Sequence, residues 1–154
     1  MPSLKSDPDQ HSPSTLRDTL TGTCSCGLVR ITINDPSLCT KQSGHFCHSA
    51  NGRKVSGSYD PSNLDIEETK THIEDPRRVL KMYFDLDIMS GRQVDRYFCS
   101  NCGCPILSRT ALLPGRVILN MGLSSRIPPS GMEAFELQRH PWQGRREGVA
   151  SSGG

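Results

Sequence analysis

Apolar side chains in this chain fall in short, branched runs broken by turn residues. They do not follow the three-and-four spacing of a helix. Residues 28–33 (Leu-Val-Arg-Ile-Thr-Ile) stop at Asn34-Asp35-Pro36, the pattern of a strand running into a turn. Residues 79–84 (Val-Leu-Lys-Met-Tyr-Phe) follow Asp75-Pro76, and residues 93–98 (Gln-Val-Asp-Arg-Tyr-Phe) follow Ser90-Gly91. That spacing predicts a hairpin between the two runs. Residues 116–121 follow Pro114-Gly115, and residues 134–137 (Ala-Phe-Glu-Leu) predict a last strand. Helical periodicity is weak throughout, and a turn near Pro129 to Met132 is the most that it predicts. Short strands with frequent turns indicate a mainly β domain.

The two ends look different. Residues 1–16 carry three prolines and four serines and predict a disordered N-terminal tail; residues 143–154 are polar and glycine-rich and predict a flexible C-terminal tail. The expected domain is residues 17–142, one unit in a chain of 154. At 34% hydrophobic and 5% aromatic content, its core must be thin. No apolar run approaches the roughly 18 residues of a membrane helix, so no membrane role is expected. Met1 to Asp7 lack the apolar stretch of a secretory signal, which leads to the expectation of a cytoplasmic protein. Eighteen basic and sixteen acidic residues nearly cancel, giving +2, and that balance makes no case for a nucleic-acid partner. Sheet edges in small β domains are often covered by a partner chain, so a homodimer is an expectation.

Seven cysteines change the picture. An odd number without a secretion signal argues against a disulfide framework, and a domain with a thin core needs another staple. Two pairs stand out: Cys24-Ser25-Cys26-Gly27 and Cys99-Ser100-Asn101-Cys102-Gly103. A C-x-x-C-G turn aims two thiolates at one point, and its glycine frees backbone amides to donate to sulfur. The C-x-C pair can chelate because alternate residues of a strand point the same way. Cys24, Cys26, Cys99 and Cys102 are therefore expected to hold one structural zinc per chain, with thiolates at about 2.3 Å.

Residues 21–30 (Thr-Gly-Thr-Cys-Ser-Cys-Gly-Leu-Val-Arg) resemble the opening motif of the glutathione-dependent formaldehyde-activating enzyme family, which includes centromere-protein-V-like proteins. Ser90-Gly91 with residues 96–107 resembles its second zinc motif, and residues 135–142 resemble its closing stretch. The resemblance implies a β-tent: short antiparallel sheets around a structural zinc, with a second, catalytic zinc in a cleft. It also implies a carbon–sulfur lyase reaction run in reverse, in which a thiol adds to an aldehyde.

The middle motif departs from the family. There the pattern is Cys-His-Cys-x-x-Cys-Arg-Lys, then Ser or Thr and Gly. Here Cys47, His48, Arg53, Lys54, Ser56 and Gly57 match, while Ser49 and Gly52 replace the second and third cysteines. A neutral serine is a poor zinc ligand and glycine offers none, so the second zinc is not expected. A site rebuilt from His45, Cys47 and Cys104 is the alternative. In an extended segment His45, Cys47 and Ser49 would share a face. Cys47, His48 and His45 are the candidate catalytic groups, since imidazole titrates near neutrality. Arg53, Lys54, Ser49 and Cys104 are the candidate substrate-binding groups. Arg53 and Lys54 suit a carboxylate or phenolate, or else form a solvated basic corner. Asp85 and Asp87 are either paired carboxylates on one strand face or a charged hairpin turn.

Three functions follow. The first is a diverged enzyme of specialised metabolism, doing acid–base chemistry (cyclisation, addition–elimination, isomerisation or coupling) on a small thiol, anionic or phenolic substrate. The second is the family's own thiol–aldehyde lyase chemistry. The third is a non-catalytic, zinc-stabilised binding domain.

Overall fold

The computed structural model describes residues 19–38, 44–47, 49–87 and 91–124. The expected strand at residues 134–137, the turn at 129–132, both tails, Cys39 and His48 lie outside the described residues.

The domain is mainly β, as its short branched runs and frequent turns predict. Among the described residues nine strands follow in order: β1 (Thr19–Thr23), β2 (Arg30–Asn34), β3 (Gly44–Phe46), β4 (Ser62–Glu67), β5 (Thr71–Glu74), β6 (Leu80–Asp87), β7 (Arg92–Cys99), β8 (Pro105–Thr110) and β9 (Arg116–Asn120). They form two antiparallel sheets, β1-β2-β5 and β3-β4-β9-β8-β7-β6. The predicted hairpin is β6–β7, in unbroken register from Leu80 opposite Cys99 to Asp87 opposite Arg92. β1, β3, β4, β5 and β8 were not anticipated from the sequence. β4 has a legible signal, since Leu64 and Ile66 alternate with polar residues and are buried. β1 and β5 contain too few apolar residues to stand out.

Each sheet presents one apolar face to the other. Leu20, Ile31 and Ile33 of the small sheet meet Leu64, Ile66, Val117 and Leu119 of the large one. Fully burying such a side chain is worth about 1.5–3 kcal/mol. A single 3-10 turn, Glu68–Lys70, carries the chain from β4 in the large sheet to β5 in the small one. The sheets also touch where Gly22 bridges to Ser124. A side chain at Gly22 would put its Cβ 2.8 Å from the Leu123 carbonyl oxygen, so this approach needs glycine.

One helix departs from the sequence expectation: α1, Ala50–Ser56. Its seven residues have no apolar stripe, so periodicity could not reveal it. Its boundaries are nevertheless written in the chain. Ser49 caps it, with Oγ accepting from the Gly52 amide at 3.0 Å, and Gly57 ends it in the left-handed conformation at φ 66°. Among the described residues no helix is long and apolar enough to cross a membrane.

Candidate metal centre and motif site

The four expected cysteines converge. Their Sγ atoms all lie within 4.8 Å of one another. Cys24 Sγ is 3.5 Å from Cys26 Sγ, which is 3.7 Å from Cys99 Sγ. Four ligands at about 2.3 Å in a tetrahedron stand about 3.8 Å apart, so the donor set and spacing fit zinc.

The first pair is not on a strand. Both cysteines lie in the loop between β1 and β2, so the alternate-residue argument for their chelation is wrong. The loop is a knuckle closely matched to the second. Cys24 donates its amide to the Val29 carbonyl, and Cys99 donates to the Cys104 carbonyl, five residues on in each case. The Gly27 amide returns to the Cys24 carbonyl, and the Gly103 amide to the Cys99 carbonyl. Both glycines are left-handed, at φ 75° and 74°. Dropping one residue between the cysteines is thus absorbed within a turn of the same span.

Backbone amides point at the sulfurs, as the glycine argument expects. Val29 N–H lies 3.3 Å from Cys24 Sγ. The Asn101 side chain and the Leu28 amide hold the exposed Cys26 thiol down at about 6. Burial pushes the Cys99 thiol up to about 12, against the pull of the Cys102 and Asn101 amides. Cys102 is lowered: burial raises it, but the Cys104 and Cys26 amides outweigh that. Asn101, which looked like a spacer in the sequence, is therefore part of the centre.

Cys104 belongs beside this centre. Its half-buried thiol accepts from the Ser25 amide of the first knuckle and contacts the Pro105 carbonyl oxygen at 3.7 Å; burial, followed by the neighbouring cysteines, raises its pKa. Among the described residues the four-cysteine cluster is the one group of three or more His, Cys, Asp or Glu whose atoms converge for a metal. His45, Cys47 and Cys104 do not form a second such group.

The middle motif makes a separate, compact site. Cys47 Sγ lies 3.3 Å from Ser49 Oγ, so these two side chains meet. His45 sits on β3 opposite Asn63 and is half-buried. Gly52 is buried on the first turn of α1, and a Cβ built there would stand 2.7 Å from both Cys47 Sγ and Ser49 Oγ. Positions 47, 49 and 52 therefore close on one point. Arg53 leans over the Tyr59 ring, its guanidinium carbon 5.7 Å from the centroid, and its buried Nε has no hydrogen-bond partner. Lys54 is exposed.

Sequence reasoning missed what anchors this helix. Asn51 donates to Asp85 at 2.7 Å, and Arg96 donates to the other oxygen of that carboxylate at 2.5 Å. Asp85 is 4% exposed and sits within β6, so it is not part of a charged hairpin turn.

Comparison with known proteins agrees with this architecture. A solved structure of a Rhodobacter sphaeroides protein, determined as a structural-genomics target, matches with a TM-score of 0.55 at 16% identity, over 77% of this chain and 100% of that one. At that identity the likeness concerns the fold alone. No curated protein matches. The family model described as glutathione-dependent formaldehyde-activating enzyme matches residues 19–143. That span holds both knuckles and the middle motif, and by it the chain belongs to the glutathione-dependent formaldehyde-activating enzyme family.

Proposed function

We propose that this protein is a diverged member of its family, with one structural zinc and metal-free acid–base chemistry at the middle motif. The substrate class is a small organic molecule bearing a thiol or an anionic or phenolic group, and the reaction a cyclisation, addition–elimination, isomerisation or coupling. The observation that carries this reading is the closure of positions 47, 49 and 52 on one point, with a Gly52 Cβ 2.7 Å from Cys47 Sγ and Ser49 Oγ. The resemblance assigns a catalytic zinc to these three positions. Here they supply one thiol, one hydroxyl and no third side chain, which does not fit that metal.

The groups that remain suit proton transfer. An imidazole at His45 or His48 takes a proton from one substrate atom and returns it at another, so no oxidant or reductant is required. The Cys47 thiol and Ser49 hydroxyl, 3.3 Å apart, can supply hydrogen bonds to the substrate. Arg53 carries a buried Nε with no partner, and its guanidinium can receive an anionic group of the substrate. The zinc held by the two knuckles would supply folding energy and take no part in the reaction.

The test is zinc per chain, by elemental analysis of protein purified without added metal. Wild type is expected to carry one zinc. The Ser49→Cys/Gly52→Cys double variant is expected to carry two, since Cys47 Sγ can rotate away from the new side chain. Two zincs in the wild type would overturn the metal-free reading and favour thiol–aldehyde lyase chemistry. None in a folded wild type would overturn the structural site. If the zinc count is one and a substrate of these classes is bound but not turned over, the protein is a binding domain.

A further inference from the structure

The outer edge of the large sheet is long and has neither a proline nor a bulge. β6 is its last strand. It runs eight residues, Leu-Lys-Met-Tyr-Phe-Asp-Leu-Asp, with no proline and no shift of register against β7. Among the described residues no strand pairs with its far side. Natural edges of that length are normally shortened, bulged or charged, because unpaired N–H and C=O groups template another strand. Here the edge is also apolar. Met82, Phe84 and Leu86 share one face and are 40%, 58% and 69% exposed, and Tyr83 on the other face is 55% exposed.

The ladder's phase shows which groups are free. The Ser100 amide donates to the Val79 carbonyl, so alternation places residues 81, 83, 85 and 87 in bonded pairs with β7. Residues 82, 84 and 86 then turn their N–H and C=O outward. One of these groups has a contact: the Leu86 carbonyl oxygen lies 3.5 Å from Asn51 Nδ2, and a carbonyl has a second lone pair to offer.

We propose that β6 pairs antiparallel with β6 of a second copy of this chain, about a two-fold axis at Phe84, joining two six-stranded sheets into one. The strand is complementary to itself in that register. Lys81 falls opposite the partner's Asp87, Met82 opposite the partner's Leu86, and Phe84 opposite the partner's Phe84. Two opposite-charge pairs flank an apolar and aromatic centre, the combination that stabilises cross-strand neighbours. The neighbouring register, centred on Tyr83, would set Lys81 against the partner's Asp85. That carboxylate is buried and already bound by Arg96 and Asn51, so the Phe84 register is favoured. It also brings the partner's Tyr83 opposite Asp85, next to the helix that carries Gly52 and Arg53.

Sedimentation equilibrium of the full chain, at concentrations from about one to one hundred micromolar, tests this. The wild type is expected at twice its 17.0 kDa chain mass. Phe84→Lys sets two ammonium groups face to face on the axis and is expected at the single-chain mass, with unchanged circular dichroism. Leu86→Lys, at a still more exposed position, is expected to do the same and serves if Phe84→Lys misfolds. Lys81→Asp is expected to weaken association at least tenfold, and Lys81→Asp/Asp87→Lys to restore it. A monomeric wild type overturns the proposal, whether the edge is bare or covered by the chain's own C-terminal residues. A dimer that survives both lysine variants overturns it as well. Failure of the charge swap to restore association in a folded protein overturns the register.

Discussion

At the scale of single residues, the two knuckles divide their cysteines by burial. Cys24 and Cys99 are 2% and 0% exposed, while Cys26 and Cys102 are exposed. A buried thiolate without its metal is costly, and the rise of Cys99 to about 12 expresses that cost. Substitutions should therefore be unequal. Cys99→Ser is expected to unfold the domain or lower its melting temperature by more than 15 °C, because it removes a ligand and leaves a hydroxyl in the core. Cys26→Ser at the exposed corner should weaken zinc affinity with a smaller loss of melting temperature. Thermal melts paired with zinc titration check this, and equal losses would contradict the ranking. The convergence of the four cysteines was legible in the sequence because two glycine-flanked pairs at metal spacing have few other uses. The convergence of Cys47, Ser49 and Gly52 was implied by the resemblance alone, because it depends on how β3 turns into α1 and no local spacing shows it.

At the scale of elements, short pieces are held by polar contacts placed at their ends. A seven-residue helix does not persist alone. α1 is fixed by its Ser49 cap, by Gly57 and by Asn51 bound to Asp85 across on β6. The end of β2 is held in a comparable way. Buried Asp35 accepts from the Ser37 amide at 2.9 Å, the Ser37 hydroxyl at 2.7 Å and Lys70 Nζ at 3.2 Å. Lys70 lies in the turn that joins the sheets. Burial alone would raise the Asp35 pKa, but the bonds from Ser37 and Lys70 together leave it lowered. A carboxyl lowered in the folded state adds stability above its unfolded pKa of about 3.9 and loses it as the pH falls through the folded value. Asp35→Asn should therefore melt about 5–10 °C below wild type at pH 7. The difference should hold down to about pH 5 and shrink below about pH 4. A gap unchanged at pH 3 would show that the charge is not the source. The anchoring residues escaped the sequence reading because Asn51 and Asp85 are 34 positions apart, and no local pattern links them.

At the scale of the whole molecule, the four-cysteine cluster joins the two sheets. One knuckle lies between β1 and β2 of the small sheet, the other between β7 and β8 of the large one. Structural zinc in small domains contributes apparent free energies of about 10–16 kcal/mol, comparable with the whole stability of a domain. Chelation by phenanthroline should therefore lower the melting temperature by at least 15 °C and loosen the small sheet first, as read by amide exchange in β1, β2 and β5. Even loss of protection across both sheets would show that the centre holds the entire core instead. By itself, the sequence determined the mainly β class, the β6–β7 hairpin, the four cysteines that converge and the family resemblance. Each of these is written in local sequence, whether the branched runs, the turn residues or the cysteine–glycine pairs. Only the tertiary structure decided that the C-x-C pair sits in a turn, that Cys104 lies against the first knuckle, and that positions 47, 49 and 52 close on a point. It also decided that, among the described residues, no strand pairs with the outer side of the eight-residue β6. These depend on contacts between residues far apart in the chain, which form when the two sheets close on each other and which no local pattern encodes.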